Sequence, residues 1–208
     1  MSDQRNDGSP VPTGPIPRQW DETYQRGEWN FLNGMGEAPR NALVSGLIHR
    51  LVGQGSVLDV GCGEGPLLDF LDLSRIRYSG LDLSPTAIAA ASARSRGHDV
   101  ELFAISMLDF EPADGQGYDL IVFNESLYHV PGPVELFNRY TGFLKPGGFM
   151  LISHFQAYGP VSDARFFAPL LEAELASGRW KPIHVAEVAN LDNGLRWKSY
   201  CFQPGSSL

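Results

Sequence analysis

The chain has 208 residues, of which 43% are hydrophobic, and it carries 24 acidic against 16 basic residues for a net charge of −8. This length fits one well-packed domain, and an acidic chain without a basic run argues against a nucleic-acid partner. No apolar segment reaches the roughly 20 residues that span a bilayer, and the polar N-terminus lacks a signal-peptide pattern. We therefore expect a cytoplasmic monomer or homodimer with no membrane partner. Two cysteines are too few for a disulfide framework, and no ligand cluster predicts a metal site.

The N-terminal quarter of the chain contains three segments of different composition. Residues 1–18 are rich in proline, glycine and polar residues, which predicts a disordered tail before a single domain over residues 19–208. An aromatic-rich stretch from Trp20 to Leu32 and an apolar-periodic helix from Arg40 to Leu51 follow. Together they predict a helical cap over residues 19–52.

The rest of the chain alternates strand and helix patterns. The spacing predicts a doubly wound α/β sheet of seven strands, mostly parallel, which ends in an antiparallel hairpin around residues 192–194. The predicted elements in chain order are a strand that ends near Val60, a helix over Glu64–Leu71, a strand over Ile76–Leu83, a helix from Ser84 to Gly97, strands over Val100–Ile105 and Tyr118–Asn124, a helix over Pro133–Phe143, a strand over Phe149–Phe155, a helix over 162–176, and strands over Ile183–Leu191 and Leu195–Phe202.

A glycine-rich turn after the first strand is the most informative motif. In Val57-Leu-Asp-Val-Gly-Cys-Gly-Glu-Gly65 an apolar run ends in three alternating glycines. Without Cβ atoms, this backbone can approach a ligand closely, and the N–H groups at the start of the following helix would face it. The motif predicts a cradle for an adenosine-containing cofactor.

Two kinds of nucleotide cofactor compete for this cradle. A dinucleotide site has the spacing G-x-G-x-x-G and holds a pyrophosphate, which a carboxylate at Glu64 would repel. S-adenosylmethionine carries a sulfonium and an ammonium, so Asp59 and Glu64 are compatible with it. Asp82 ends the second strand about 20 residues after the turn, where a carboxylate can accept both ribose hydroxyls.

Four segments, in order, resemble the successive motifs of the class I, Rossmann-like methyltransferases. The resemblance covers roughly residues 56–155 and implies S-adenosyl-L-methionine as the cofactor. The four segments are Val57–Gly65, Gly80–Ser84, Tyr118–Asn124 and Leu144–Ile152.

The resemblance also implies which residues contact the cofactor. The family's acidic adenine contact after the third strand is replaced here by Ser106, so either Ser106 or the displaced Asp109 takes that role, with the Met107 backbone N–H facing the ring. Trp29 and Arg40 in the cap either close over the methionine end or simply pack on the sheet. The expected cofactor-binding residues are Trp29, Arg40, Asp59, Gly61, Cys62, Gly63, Asp82, Leu83, Ser106, Met107, Leu108 and Asn124.

The acceptor is expected beyond the fourth and fifth strands, because open α/β sheets bind ligands at the carboxyl ends of their strands. Methyl transfer to a hydroxyl needs a base, and His129 either is that base or lines the pocket wall. His154 and Tyr128 are the other catalytic candidates. Glu125 either binds an acceptor amine or caps a turn.

Within the class I enzymes, the chain is similar to small bacterial nodulation-type and glycan-cluster methyltransferases. This similarity implies O- or N-methylation of a sugar or glycoside, with another natural-product hydroxyl or amine as the next hypothesis and a silent cofactor-binding protein as the last. Aromatic side chains that would stack on a sugar, or equally fill a core, are Tyr128, Phe155, Tyr158, Phe166 and Trp180.

Overall fold

The computed structural model describes residues 17–113, 115–156, 163–191 and 194–205. Most of the predicted tail and the turn residues 192–193 therefore lie outside the described part. The strands are β1 Gly55–Val60, β2 Ile76–Asp82, β3 Glu101–Ala104, β4 Tyr118–Asn124, β5 Leu144–Phe155, β6 Trp180–Ala189 and β7 Arg196–Pro204. The α-helices are α1 Pro17–Gln25, α2 Ala38–Val52, α3 Pro85–Arg94, α4 Pro133–Tyr140 and α5 Asp163–Leu175, with short 3₁₀ helices over Asn30–Asn33, Pro66–Phe70, Leu127–His129 and Thr141–Phe143.

The seven strands form one mixed sheet in the order β3-β2-β1-β4-β5-β7-β6. Neighbouring strands from β3 to β5 pair in parallel, whereas β7 is antiparallel to both β5 and β6. This arrangement confirms the predicted sheet. The chain reverses its direction of winding between β1 and β4, which creates a crevice at the carboxyl ends of these two strands.

Side-chain alternation along the central strands divides the core between the two faces of the sheet. Leu58 and Ile121 pack in one buried cluster, and their neighbours Val57 and Leu120 pack in another on the opposite face. All four are fully buried. A parallel sheet covered on both faces is the arrangement expected of a doubly wound fold.

Helix α2 covers one of these faces. Val44 and Ile48, both fully buried, belong to the same cluster as Val57 and Leu120. The region that we predicted as a cap, residues 19–52, therefore has two parts: α2 is a layer of the sheet core, and only α1 with the following 3₁₀ helix lies over the crevice.

The predicted helix over Glu64–Leu71 is wrong. The chain forms only a 3₁₀ helix over Pro66–Phe70, preceded by Gly65 in the left-handed region at φ 72°. A left-handed residue cannot be part of an α-helix, so Glu64 and Gly65 lie outside the helix, and Pro66 takes its first position. The α-helical N-terminus that was expected to face a ligand is therefore absent from this turn.

The described residues include no helix that is long and apolar enough to cross a membrane.

Gly61→Ala is expected to lower the free energy of unfolding by about 1–3 kcal/mol more than Gly53→Ala. Both glycines have positive φ, but a Cβ at Gly61 would overlap Ser126, whereas Gly53 has no neighbouring atom within 4 Å of that position. Gly53→Ala therefore controls for backbone strain alone. Urea unfolding followed by circular dichroism measures both; equal losses would show that Ser126 yields to the extra carbon.

Candidate functional site

A cavity lies at the carboxyl ends of β1 to β4, under α1. It follows the crevice between β1 and β4 and extends to the loop after β3. Eleven of the twelve predicted cofactor residues line it: Trp29, Arg40, Asp59, Gly61, Cys62, Gly63, Asp82, Leu83, Ser106, Met107 and Asn124. The twelfth, Leu108, is absent from the wall, and its side chain is 44% exposed.

The glycine loop is held against the end of β2 by backbone and side-chain hydrogen bonds. The N–H groups of Gly61 and Cys62 both donate to the Leu81 carbonyl, at 2.8 and 2.9 Å. The Gly63 N–H donates to Asp82 Oδ2 at 2.9 Å. Gly61 and Gly63 have φ values of 77° and 56°, a region that non-glycine residues rarely occupy.

Asp82 joins this loop to the beginning of α3. Its second oxygen, Oδ1, accepts the Ser84 N–H at 2.9 Å. Burial raises the pKa of the Asp82 carboxyl, and the backbone hydrogen bonds from Ser84 and Gly63 oppose that rise. Each carboxylate oxygen has a second lone pair, so Asp82 can still accept two further donors.

Asp59 is buried in the floor of the cavity. Its Oδ2 accepts the Tyr78 hydroxyl at 2.7 Å, while its Oδ1 is buried without a partner among the described residues. Burial raises the Asp59 pKa to about 7, although the Tyr78 hydroxyl and the Arg40 guanidinium both lower it. Buried carboxylate oxygens normally accept a hydrogen bond, so Asp59 Oδ1 retains unused acceptor capacity.

Arg40 connects α2 to the end of β4. Its guanidinium is 2% exposed, forms an ion pair with Glu37 at 3.0 Å, and donates through Nη1 to the side-chain oxygen of Asn124. The Asn124 amide in turn donates to Asn41 Oδ1 at 3.1 Å. This network fixes the Asn124 side chain in the cavity wall.

At the loop after β3, the structure distinguishes between the two candidate adenine contacts by position. Ser106 lines the cavity, and its hydroxyl accepts the Leu108 N–H at 3.1 Å. Asp109 is exposed and is not part of the cavity wall. Of the two candidates, Ser106 therefore lies in the cavity wall and Asp109 does not.

An aromatic lid formed by α1 and residues 26–33 closes the cavity. Trp20 stacks on Trp29 with ring centroids 5.4 Å apart, and Tyr24 also lines the wall. Asp21 fastens α1 to α3, since its Oδ1 accepts the Ser84 hydroxyl at 2.6 Å and the Thr86 N–H at 3.0 Å. The lid thus rests on the same α3 N-terminus that Asp82 holds.

A second cavity adjoins the first on the side of β5 and β7. The two cavities share four wall residues: Trp29, Leu32, Glu125 and His129. The remaining walls of the second cavity are largely aromatic or aliphatic, and they are formed by Phe31, Glu37, Tyr128, Phe155, Leu195 and Trp197.

Of the three predicted catalytic side chains, two line the cavities and the third does not. His129 lines both cavities and packs edge-on against Trp20 at 5.0 Å, and Tyr128 lines the second cavity. His154 lines neither. It is 1% exposed, stacks on Tyr200 at 5.8 Å, and has its pKa lowered by burial.

His154, which was predicted as a catalytic residue, therefore lies outside both cavities and apart from His129. Side chains at odd and even positions of a strand point to opposite faces of the sheet. The position of His154 in β5 places its ring in the packing between β5, β7 and α5.

The aromatic residues that were expected to stack on a sugar lie in different parts of the structure. Phe155 and Tyr128 line the second cavity, whereas Trp180 packs in the core. Tyr158 lies outside the described residues, as does the side chain of Phe166.

The first cavity is strongly acidic. Four carboxylates line it, from Asp59, Glu64, Asp82 and Glu125, against the single guanidinium of Arg40. Such a wall repels a pyrophosphate and attracts a cationic ligand. Within the ranges that the structure covers, no group of His, Cys, Asp and Glu could hold a metal ion.

Trp20, Tyr24 and Glu125 also line the first cavity, although none of them is among the twelve expected cofactor-binding residues. The two aromatics belong to the stretch that we treated as a general cap, and only the fold brings them over the glycine loop. Glu125 directly follows the Asn124 that ends β4, so its position was a usable signal.

Comparison with known proteins identifies the family. A family model described as "Methyltransferase domain" matches residues 37–200, more than half of the chain. The ubiquinone biosynthesis O-methyltransferase of Vibrio atlanticus (strain LGP32) is 31% identical over 99 residues, which are 47% of this chain and 42% of that protein. The chain thus matches less than half the length of this curated relative.

Two solved structures share the fold. The Burkholderia thailandensis 1,6-didemethyltoxoflavin-N1-methyltransferase, with bound 1,6-didemethyltoxoflavin and S-adenosylhomocysteine, has a TM-score of 0.69 at 22% identity and covers 91% of this chain and 87% of its own. The N-methyltransferase NodS from Bradyrhizobium japonicum WM9, in complex with S-adenosyl-L-homocysteine, has a TM-score of 0.65 at 19% identity, with coverage of 86% and 92%. The chain belongs to the methyltransferase domain family, and its fold is that of the class I S-adenosylmethionine-dependent methyltransferases.

Proposed function

We propose that this chain transfers a methyl group from S-adenosylmethionine to a hydroxyl of a small, flat and largely apolar acceptor. The observation that carries the proposal is the pairing of two adjoining cavities. One is acidic and lies at the glycine loop, and the other has aromatic walls. The first matches a cationic nucleoside and the second a planar molecule.

The residues of the acidic cavity fit S-adenosylmethionine. The glycine loop offers a backbone without Cβ atoms, and Asp82 retains acceptor capacity for ribose hydroxyls. The unpartnered Asp59 Oδ1 suits the ammonium of the methionine part, and Ser106 with Met107 suits the adenine. When bound, this cofactor supplies an electrophilic methyl group on a sulfonium.

The second cavity favours a planar acceptor over a bare sugar. A sugar ring needs several polar partners for its hydroxyls, and this wall offers few beyond Glu37, Glu125 and His129. Glu37 is already paired with Arg40. The relative from Vibrio atlanticus is named for O-methylation in ubiquinone biosynthesis, which agrees with this preference.

The acceptor class is tested by incubating the chain with isotopically labelled S-adenosylmethionine and separate pools of phenols and hydroxylated heteroaromatics, glycosides, and amines. We expect label in the first pool. Label only in the glycosides would reassign the acceptor to sugars. Cofactor binding without label in any pool would indicate a silent binding protein.

Asp82→Ala is expected to weaken the binding of S-adenosylhomocysteine by about 1.5–3 kcal/mol, because it removes a charged hydrogen-bond acceptor from the ribose. Asp109→Ala, an exposed carboxylate outside the cavity wall, is the control and should leave the affinity unchanged. Isothermal calorimetry measures both. Comparable heats for NAD would contradict the cofactor assignment, and a loss in Asp109→Ala would move the adenine contact to that residue.

Asp21→Ala is expected to raise the dissociation rate of S-adenosylhomocysteine several-fold. It removes the hydrogen bonds by which α1 is held to Ser84 and Thr86, so the aromatic lid opens more often. Glu22→Ala changes the neighbouring carboxylate, which contacts only exposed arginines, and serves as the control. Stopped-flow displacement measures the rate, and hydrogen exchange over residues 19–45 should show cofactor protection in the parent.

A further inference from the structure

Glu125 has an unusual backbone conformation at the junction of the two cavities. It follows directly on the last residue of β4 and has φ 64°, one of two non-glycine residues with positive φ in the described chain. Its N–H donates to the Ser153 carbonyl of β5 at 3.0 Å, which fixes this conformation. Backbone strain of this kind occurs most often at functional sites.

The carboxylate of Glu125 is held by one oxygen only. Oε2 accepts the Tyr128 hydroxyl at 2.7 Å and the Phe155 N–H at 3.0 Å. Oε1 is buried and has no hydrogen-bond partner among the described residues. A buried carboxylate oxygen without a donor is costly, and a catalytic role is one of the explanations for such a group in a folded protein.

Only Glu125 and His129 combine an ionisable side chain with a place in the wall of both cavities. His129 packs against three aromatic rings: its ring centroid is 4.3 Å from that of Tyr128, 5.0 Å from that of Trp20 and 6.4 Å from that of Trp29. Its ring is therefore part of the packing beneath the lid, whereas Glu125 has an oxygen that lacks a donor.

We propose that Glu125 is the catalytic base, whose Oε1 accepts the proton of the acceptor hydroxyl, and that Tyr128 is the residue that positions its carboxylate. This inference rests on the proposed function and deepens it. It replaces both histidines as candidates for the base.

The step balances with no further reactant. The acceptor oxygen uses a lone pair to form the new O–CH₃ bond, and the bond between the methyl carbon and the sulfonium sulfur breaks with its electron pair going to sulfur. The proton of the acceptor hydroxyl passes to Glu125 Oε1. The products are a methyl ether, neutral S-adenosylhomocysteine and a protonated Glu125.

The charges around Glu125 suit a base that works near neutral pH. Burial raises the Glu125 pKa to about 7. Arg40 of α2, the Tyr128 hydroxyl and the Phe155 N–H of β5 lower it, and Glu37 of α2 raises it. His129 is the other ionisable group that lines both cavities. Because only the carboxylate form accepts a proton, turnover should rise with pH through this pKa.

The first test compares kcat for the best hydroxyl acceptor of the labelled pools across pH 5–9. We expect Glu125→Gln to lower kcat about 10²–10⁴-fold and to abolish the rise near pH 7, with S-adenosylhomocysteine affinity within twofold. Tyr128→Phe should move the rise to higher pH, since it removes a donor that stabilises the carboxylate. Glu22→Gln on the surface of α1 is the control. A Glu125→Gln enzyme within tenfold of the parent that retains the rise would overturn the assignment.

A second measurement separates this inference from the proposed function. In the parent loaded with S-adenosylhomocysteine, the ¹³C NMR signal of the Glu125 carboxyl carbon is assigned as the signal that is missing from Glu125→Gln. This signal is then titrated with pH in the presence and absence of 2-naphthol. A hydroxyl that donates to Oε1 should lower the midpoint. If the midpoint does not move when 2-naphthol is saturating, the role of Glu125 is overturned and the proposed function stands. If 2-naphthol does not bind and no hydroxyl pool is labelled, both proposals are overturned.

Discussion

The carboxylate of Asp82 is the contact on which the rest of the site depends. One oxygen accepts the Gly63 N–H and the other accepts the Ser84 N–H. This single side chain therefore fixes the glycine loop, the end of β2 and the beginning of α3 relative to one another. Ser84 in turn donates to Asp21, so the position of the lid depends on the same carboxylate. A ligand that binds Asp82 would contact the side chain that links the glycine loop, through Ser84 and Asp21, to α1.

Buried charge determines the chemistry of this edge of the sheet. Asp59 and Glu125 both interact electrostatically with Arg40, and each has one oxygen held by a tyrosine hydroxyl and the other without a partner among the described residues. Burial raises the pKa of both to about 7, and Arg40 opposes that rise in both. Buried carboxylates of this kind are costly, because burial removes their hydration. The two proposed ligands, a cationic cofactor and an acceptor hydroxyl, would each supply a partner that offsets this cost.

The fold was predictable from sequence because local signals and global topology agree. Alternating apolar strands, the Ser84-Pro85 helix start and the glycine turn each have a local physical cause, and together they define the sheet order around the crevice. Those residues of the first cavity that lie at or after the ends of β1 to β4 were predictable for the same reason. The extent of the helix after Gly65 was not, because the left-handed conformation of Gly65 excludes the first residues of the predicted range. Which side of β5 His154 faces depends on strand register, and register is set by tertiary pairing.

The contrast between His154 and Glu125 shows why residue type alone is a poor guide to the base. A histidine has a pKa near neutrality in water, and burial lowers that of His154 among apolar rings. A glutamate is a weak base in water, and burial raises the pKa of Glu125 to about 7. Desolvation disfavours the charged form of each side chain. It therefore makes the histidine, which is charged when protonated, a weaker base, and it makes the glutamate, which is charged when deprotonated, a stronger one. The residue best matched to a proton transfer near pH 7 is thus the one whose environment, rather than whose type, brings its pKa there.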